Sequence, residues 1–425
     1  MTVLSADWVV PVTGPPIANG AVVFEAGRIT AVGTATELGA GERFEDAAIL
    51  PGFVNAHSHL EYAAYAGFGD GLSFPPWIGL HIARKQRLGQ ADMEAMARLG
   101  AAECLRSGIT TVGDCSFGGA TATACDELGL RATVYLEVFG EDAGALRRFE
   151  ELRDRIEGSL SDRVRLGISP HAPYTCTVPL YEACAELGLP VATHLSESEA
   201  ELEYLRSGHG PWESLAEFLV PPLGSGAIRA LAGAGVLGPS VVAAHCVHIT
   251  DEEIALLAET GTAVAHCPRS NALLGCGVAP LAAMRAAGVR VCIATDSPAS
   301  TPSFDMFDEL RTAVMAARAR ERRPDALTTA DALELATLGG ARALGLEHEI
   351  GSLETGKQAD VTVVSLADSP FLPWEDPAGA VVLGGSPDRV LATLVSGEER
   401  YRKGVTTWHA STSNAQRARA RMLEV

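Results

Sequence analysis

Eight apolar stretches recur along the middle of the chain, and most are followed by a segment rich in Ala, Leu, Glu and Arg. The stretches cover residues 48–59, 108–117, 131–140, 164–175, 190–198, 240–248, 261–271 and 290–300. Continuous apolar strands that alternate with helices predict a parallel sheet covered by helices. Eight such units favour an α/β fold of the closed (β/α)₈ TIM-like barrel type over an open sheet.

The two ends of the chain have a different pattern, with short alternating strands separated by turns. This pattern covers residues 1–51 and returns at 350–410, which predicts a small β-sandwich domain built from both termini. The barrel is then expected over residues 52–349. Residues 411–425 form a C-terminal tail, predicted as a basic helix or a frayed end.

The composition of the chain indicates which kinds of binding partner and which cellular compartment to expect. The chain has 425 residues, 47% of them hydrophobic, and a formal net charge of −20, which argues against nucleic acid and anionic membrane surfaces as partners. No apolar stretch is long enough to span a bilayer, and the N-terminus lacks a secretory pattern. The nine cysteines include no CxxC pair. We therefore expect a cytoplasmic protein with reduced thiols.

Polar residues with metal-binding chemistry stand at or near the ends of several apolar stretches. His57 and His59 have the i, i+2 spacing that places two side chains on one face of a strand. The others are His171, His194, His245 and Asp296. A lone strand-end histidine is more often a hydrogen-bonded polar residue than a ligand, but a barrel brings all these ends to one rim. Three imidazoles and a carboxylate would hold one divalent ion and leave room for water.

Glu197 follows His194 by three residues, where its carboxylate could stand beside an activated water. Hydrolysis of a C–N bond needs a group that moves protons at that place. The alternative is a first-turn glutamate favoured by the helix dipole, since Glu199, Glu201 and Glu203 follow.

The motifs together resemble the amidohydrolase superfamily, and within it the deaminases that use a single metal. The matching segments are PGFVNAHSH at 51–59, PHAPY at 170–174, HLSE at 194–197, AHC at 244–246, HCPRSN at 266–271, TDS at 295–297 and GKQAD at 356–360. The resemblance implies that His57, His59, His194 and Asp296 bind the metal, and that Asp296 also accepts a proton from water. It implies that Glu197 protonates the ring of the substrate, His245 hydrogen-bonds the attacking water, and His171 contacts the substrate.

Lysine usage favours one metal ion over two. Two-metal members of the superfamily bridge their ions with a carbamylated lysine from the fourth barrel strand, and this chain has no lysine between Lys85 and Lys357. We expect zinc as the cofactor, with iron(II) as the alternative, because both accept this ligand set.

The resemblance favours an adenosine-type substrate that loses its 6-amino group, with 6-amino-6-deoxyfutalosine of menaquinone biosynthesis as the first candidate. S-adenosylhomocysteine, methylthioadenosine and adenosine are alternatives, as are guanine and the amino- or chlorotriazines. Arg269, with Arg84 behind it, is a candidate for a substrate carboxylate, and Phe74 and Trp77 for stacking on the base. The alternatives are an exposed helix face for Arg84, packing for the aromatic residues, and a loop-shaping role for Ser270 and Asn271. Relatives of this type are commonly dimers, so we expect a homodimer.

Overall fold

The fold is described from a computed structural model, which covers the backbone of residues 1–424 and their side chains except those of residues 213 and 214. In chain order the strands are β1 (Thr2–Val9), β2 (Ile17–Glu25), β3 (Arg28–Thr34), β4 (Glu42–Pro51), β5 (Phe53–Ser58), β6 (Ile109–Ser116), β7 (Arg131–Val138), β8 (Val164–Pro170), β9 (Val191–Leu195), β10 (Val241–His245), β11 (Ala263–His266), β12 (Arg290–Ile293), β13 (Val361–Ser365), β14 (Val390–Val395) and β15 (Glu398–Arg402).

The helices lie mainly between the barrel strands. They are α1 (Ala35–Leu38), α2 (Phe74–Lys85), α3 (Gln90–Arg106), α4 (Ala120–Leu128), α5 (Leu146–Ile156), α6 (Val178–Glu186), α7 (Glu199–Ser207), α8 (Ala227–Gly233), α9 (Asp251–Thr260), α10 (Pro268–Leu273), α11 (Leu281–Ala286), α12 (Met306–Glu321), α13 (Thr329–Leu335), α14 (Leu338–Ala343), α15 (Pro377–Gly384) and α16 (His409–Leu423). Short 3₁₀ helices cover Leu60–Tyr65, Ala143–Ala145, Glu157–Ser159, Pro211–Phe218 and Pro387–Arg389. No helix within residues 1–424 is long and apolar enough to cross a membrane.

Strands β5 to β12 form an eight-stranded parallel sheet in which neighbours in the chain are neighbours in space. The sheet closes where the backbone N–H of Asp296, just after β12, donates to the carbonyl of His57 on β5 at 3.0 Å. The predicted (β/α)₈ barrel is therefore confirmed. The carboxyl ends of the strands meet at one rim, which is where barrel enzymes place their chemistry.

The first predicted strand, residues 48–59, was wrong as a single element, because Gly52 divides it between two sheets. The N–H of Gly52 donates to the carbonyl of Asp360, beside β13, whereas the N–H of Phe53 donates to the carbonyl of Gly108, beside β6. A Cβ at Gly52 would lie 2.2 Å from the side chain of Thr110. Only glycine lets the chain pass this close while it changes sheets.

The terminal strands form one seven-stranded mixed sheet in the order β15-β14-β13-β4-β1-β2-β3, which confirms a separate unit built from both termini. It has an apolar core of its own, centred on residues such as Phe24, Ile49 and Val361. A buried ion pair joins it to the barrel: Arg131 on β7 donates from Nε to Asp360 at 3.0 Å. The predicted limits of the domains stay predictions.

The C-terminal tail was predicted as either a basic helix or a frayed end. In the structure it forms the helix α16. Ala415, Ala418 and Met422 are buried in a cluster with Met96 of α3. Helix α16 is thus packed against the outside of the barrel.

Candidate active site

The four residues predicted to bind metal converge at the rim of the barrel. His57 and His59 come from the end of β5, His194 from β9 and Asp296 from the turn after β12. The Nε2 atoms of His59 and His194 are 3.3 Å apart. Oδ1 of Asp296 is 3.5 Å from Nε2 of both His57 and His59. All four side chains are buried.

The donor atoms of this cluster fit a divalent cation. Nδ1–H of His194 donates to the carbonyl of His171 at 2.7 Å, which leaves the Nε2 lone pair directed at the cluster. Nε2 of His57 is buried and forms no hydrogen bond of ordinary length among the described residues, with Oδ1 of Asp296 3.5 Å away. Ligand atoms of His57, His59 and His194 lie within 4.8 Å of one another, as do those of His57, His245 and Asp296. Three nitrogens and one carboxylate oxygen are a ligand set that zinc accepts.

The electrostatics of the cluster favour neutral imidazoles at His59 and His194 and an ionised carboxylate at Asp296. Burial, aided by the charge of His57, lowers the pKa of His59 to about 3. Burial also lowers the pKa of His194 well below its usual value. For Asp296 burial acts to raise the pKa, but the hydrogen bond with His57 and the nearby imidazoles outweigh it and hold the pKa well below the usual range. Deprotonated ligands are the state that binds a metal.

Glu197 stands beside this cluster as a buried acid. Its Oε2 is 3.6 Å from Nε2 of His245. Burial, followed by the charges of Asp296 and Glu201, raises its pKa well above the usual value, so that the carboxyl keeps its proton. Glu201 holds the turn that follows β9, because its carboxylate accepts the backbone N–H of Ser196 at 2.8 Å and the backbone N–H of Glu197 at 2.7 Å.

Two residues on α10 orient the side chains of His245 and Asp296. Nδ1–H of His245 donates to Oδ1 of Asn271 at 3.0 Å, so its Nε2 faces Glu197. Oδ2 of Asp296 accepts the hydroxyls of Ser270 at 2.6 Å and Ser300 at 2.8 Å, which leaves Oδ1 toward the histidines. The sequence assigned Ser270 and Asn271 only a loop-shaping role and missed Ser300, although its i+4 spacing from Asp296 in a hydroxyl-rich turn was a usable signal.

The backbone is strained at three of these positions. Ser196, His245 and Asp296 have φ values of 53°, 71° and 60°, in the left-handed region that non-glycine residues avoid. Each such residue costs on the order of 1 to 3 kcal/mol and persists only where the surroundings impose it. The strain turns the side chains at the strand ends toward a common point.

A cavity of about 690 Å³ opens from the cluster, and its walls are rich in aromatic residues. Its lining includes His171, Phe74 and Trp77, three of the residues predicted to contact substrate. The His171 ring is 4.8 Å from that of His194. Trp212, in the 3₁₀ helix Pro211–Phe218, also lines the cavity, with its ring 5.6 Å from that of Phe74. It was missed because an isolated tryptophan outside any motif carries no signal in sequence.

Arg269 and Arg84 do not line this cavity, which corrects the expectation that they hold a substrate carboxylate. Arg269 is buried and donates from Nε to Glu309 at 2.5 Å and from Nη2 to the carbonyl of Ser303 at 2.6 Å. Arg84 donates to the carbonyl of Met422 at 2.5 Å and lies 4.1 Å from the centre of the Phe68 ring. Both guanidinium groups are occupied by protein partners.

The cavity instead contains a lysine and a glutamate that the sequence did not single out, Lys85 at the end of α2 and Glu137 on β7. They are far apart in sequence and belong to no motif.

The sequence model of the amidohydrolase family matches residues 48–400 of this chain, in agreement with the geometry of the site. The chain belongs to the amidohydrolase family. It is therefore an enzyme, a hydrolase that acts on C–N bonds.

Named relatives of this amidohydrolase align over almost all of its length. A 5-methylthioadenosine/S-adenosylhomocysteine deaminase of Moorella thermoacetica is 36% identical over 96% of both chains. A 5'-deoxyadenosine deaminase of Methanothermobacter thermautotrophicus is 33% identical over 92% of this chain and 93% of its own. The crystal structure of an adenosine deaminase from Xanthomonas campestris with bound zinc superposes with a TM-score of 0.89 at 29% identity, covering 100% of this chain and 99% of that one.

Proposed function

We propose that this amidohydrolase is a hydrolytic deaminase, which replaces the 6-amino group of an adenosine-type nucleoside by oxygen and releases ammonia. The observation that carries the proposal is the buried Glu197 carboxyl 3.6 Å from His245, beside a cluster with metal-binding chemistry, and burial raises the pKa of that carboxyl. An aromatic amine leaves its ring only when the ring nitrogen is protonated as water adds, and a buried neutral carboxyl is suited to that transfer. The names of the relatives support the same substrate class.

The proposed cofactor is one divalent ion, zinc in preference to iron(II), held by His57, His59, His194 and Asp296. A zinc ion bound there would act as a Lewis acid and lower the pKa of a bound water. The bound zinc of the Xanthomonas campestris neighbour supports this choice of metal.

The side chains divide the proton transfers between them. Asp296, with Oδ2 held by two hydroxyls, accepts a proton from the attacking water at Oδ1. Glu197 donates its proton to ring nitrogen N1 as water adds to C6. His245, oriented by Asn271, hydrogen-bonds the incoming oxygen. The proton that Asp296 has taken up passes to the amino group and ammonia leaves. The proton of the hydroxyl on C6 returns to Glu197, which leaves the 6-oxo product and restores the acid.

The substrate class we propose is an adenosine with a modified 5' position. An aromatic cavity of about 690 Å³ suits a purine with an apolar 5' group. 6-amino-6-deoxyfutalosine, the first candidate from sequence, belongs to the same class, but its predicted carboxylate-binding arginines face away from the cavity. Methylthioadenosine and 5'-deoxyadenosine, which carry no carboxylate, are therefore the better candidates.

A substrate panel tests the function. Ammonia release is measured with adenosine, 5'-deoxyadenosine, methylthioadenosine, S-adenosylhomocysteine, 6-amino-6-deoxyfutalosine, guanine and an aminotriazine. We expect turnover of the 5'-modified adenosines at the highest kcat/KM. Turnover of guanine or the triazine alone would overturn the proposal.

A further inference from the structure

A carboxylate in the cavity wall has no protein partner. Glu137, on the third strand of the barrel, is only 2% exposed and lines the cavity, yet it forms no hydrogen bond or ion pair with the side chains and backbone described in residues 1–424. Its neighbour Glu61 is different, since it accepts the hydroxyl of Ser116 at 2.6 Å and the N–H of Ala120 at 2.8 Å. A buried carboxylate without a donor is costly, and burial raises the pKa of Glu137 to about 7 while Lys85 opposes the rise.

A cation with spare donors stands in the same part of the wall. The ammonium of Lys85 lies 3.7 Å from the centre of the Phe117 ring and donates to the hydroxyl of Tyr62 at 3.4 Å. It forms an ion pair with no carboxylate among the described side chains. An ammonium carries three donors, so this geometry leaves donors for a ligand. Glu137 and Lys85 thus present an acceptor and a donor to the cavity.

The distance along the barrel rim between Glu137 and His194 of the metal cluster is about the length of a nucleoside. Glu137 is on the third barrel strand and His194 on the fifth. Neighbouring strands are about 4.8 Å apart, which puts these positions roughly 10 Å from each other along the rim. His171, after the fourth strand, lies between them, with its ring 4.8 Å from His194 and 5.0 Å from Phe139. A purine with its 6-amino group at the metal cluster would direct its sugar toward Glu137.

We propose that Glu137 and Lys85 form a ribose subsite, in which Glu137 accepts hydrogen bonds from the vicinal 2'- and 3'-hydroxyls and Lys85 donates to one of those oxygens. The inference rests on the proposed function and specifies a nucleoside rather than a free base. A diol needs one acceptor with two oxygens and a nearby donor, which this pair provides. The four nucleosides named for the relatives and the structural neighbour share the 2'- and 3'-hydroxyls and differ in the 5' group.

The test compares Glu137→Gln with the unchanged enzyme on ribose analogues. The best nucleoside of the panel and its 2'-deoxy and 3'-deoxy forms are assayed for kcat/KM. A hydrogen bond to a charged group predicts a loss of about 10- to 100-fold with the ribonucleoside. The loss should be several-fold smaller with each deoxy form, because one of the two hydrogen bonds to Glu137 is already missing there. Equal losses with all three sugars, or a loss confined to substrates with an amino-acid tail, would overturn the subsite.

Further variants separate recognition from structure. Glu141→Gln makes the same chemical change at an exposed position of the cavity rim and should keep the sugar preference within about twofold. Lys85→Met keeps the stem on Phe117 but removes the donor, and should weaken ribonucleosides more than deoxynucleosides. Glu137→Gln should not lower the melting temperature, because an amide is easier to bury than an unpaired carboxylate. A marked drop in melting temperature would assign Glu137 a structural role instead.

The two proposals fail in different ways. If no nucleoside releases ammonia, the proposed function is lost. If nucleosides are deaminated and the sugar preference is the same in Glu137→Gln, only the ribose subsite is lost.

Discussion

At the scale of single residues, burial and neighbouring groups shift the pKa values of the two carboxyl groups of the site in opposite directions. Burial raises the pKa of Glu197. The hydrogen bond with His57 and the adjacent imidazoles keep the pKa of Asp296 low despite its burial. Two carboxyl groups with separated pKa values can act as acid and base in the same reaction.

Glu197→Gln tests the acid. The amide keeps the size of the side chain but has no acidic proton to give, so we expect kcat to fall by about 10²- to 10⁴-fold. Metal content, measured by elemental analysis, should be unchanged, because Glu197 is outside the proposed ligand set. Near-normal kcat in this variant would remove Glu197 from the mechanism.

The pH dependence of stability tests the buried state of Glu137. Its pKa in the folded protein is raised from 4.5 to about 7. For an acid, a raised folded pKa gives stability that is present below the unfolded pKa and is lost as pH rises through the folded one. As pH rises from about 4.5 through about 7, the unchanged protein should therefore lose up to roughly 3 kcal/mol of stability relative to Glu137→Gln, and the difference should level off at higher pH. Denaturant unfolding of both proteins at several pH values measures the difference, and parallel curves would contradict it.

At the scale of elements, the barrel strands deliver the reacting groups and the neighbouring segments orient them. Helix α10 supplies Ser270 to Asp296 and Asn271 to His245. These contacts were beyond prediction, because they depend on how α10 lies over the ends of two other strands. The strands themselves were predictable, since a long apolar stretch indicates a strand that is buried on both faces of a parallel sheet.

Helix α16 gives an element-scale prediction. Met422 is fully buried, whereas Leu423 beside it is 53% exposed. Met422→Ala should destabilise the protein by about 2 to 5 kcal/mol through the lost contacts and the cavity left behind. Leu423→Ala, the matched control, should change stability by within about 0.5 kcal/mol. Equal melting temperatures for the two variants would show that α16 is not docked as described.

At the scale of the whole molecule, the barrel and the terminal sheet are joined by a buried ion pair. Arg131 and Asp360 are 7% and 2% exposed as side chains, and Asp360 also accepts the N–H of Ser396 at 2.7 Å. The GKQAD segment that ends in Asp360 therefore has a structural role here, away from the chemistry.

Asp360→Asn tests that connection. It leaves Arg131 buried without a counter-charge, which should cost about 3 to 5 kcal/mol of unfolding free energy. Asp388→Asn is the control, because Asp388 pairs with Arg106 at 3.1 Å but is 89% exposed and should matter by less than about 1 kcal/mol. Similar denaturant midpoints for the two variants would contradict the assignment.

Metal removal also acts on the whole molecule. Chelation should abolish ammonia release and lower the melting temperature, because an ion that binds only the folded state stabilises it. Adding zinc should restore both, with one ion per chain. Two ions per chain at full activity would contradict the single-metal proposal, and sedimentation of the same samples would test the expected homodimer.

The sequence by itself determined the barrel and predicted which polar residues meet at its rim, because apolar periodicity and ligand chemistry are local properties of the chain. His57, His59, His194 and Asp296 could be singled out from where their strands end. Only the tertiary structure decided which cation faces the cavity. Arg269, in a motif, points to Glu309, while Lys85, in none, points to the cavity. The direction of a side chain depends on packing against residues that are distant in sequence, and a local sequence pattern does not predict that packing.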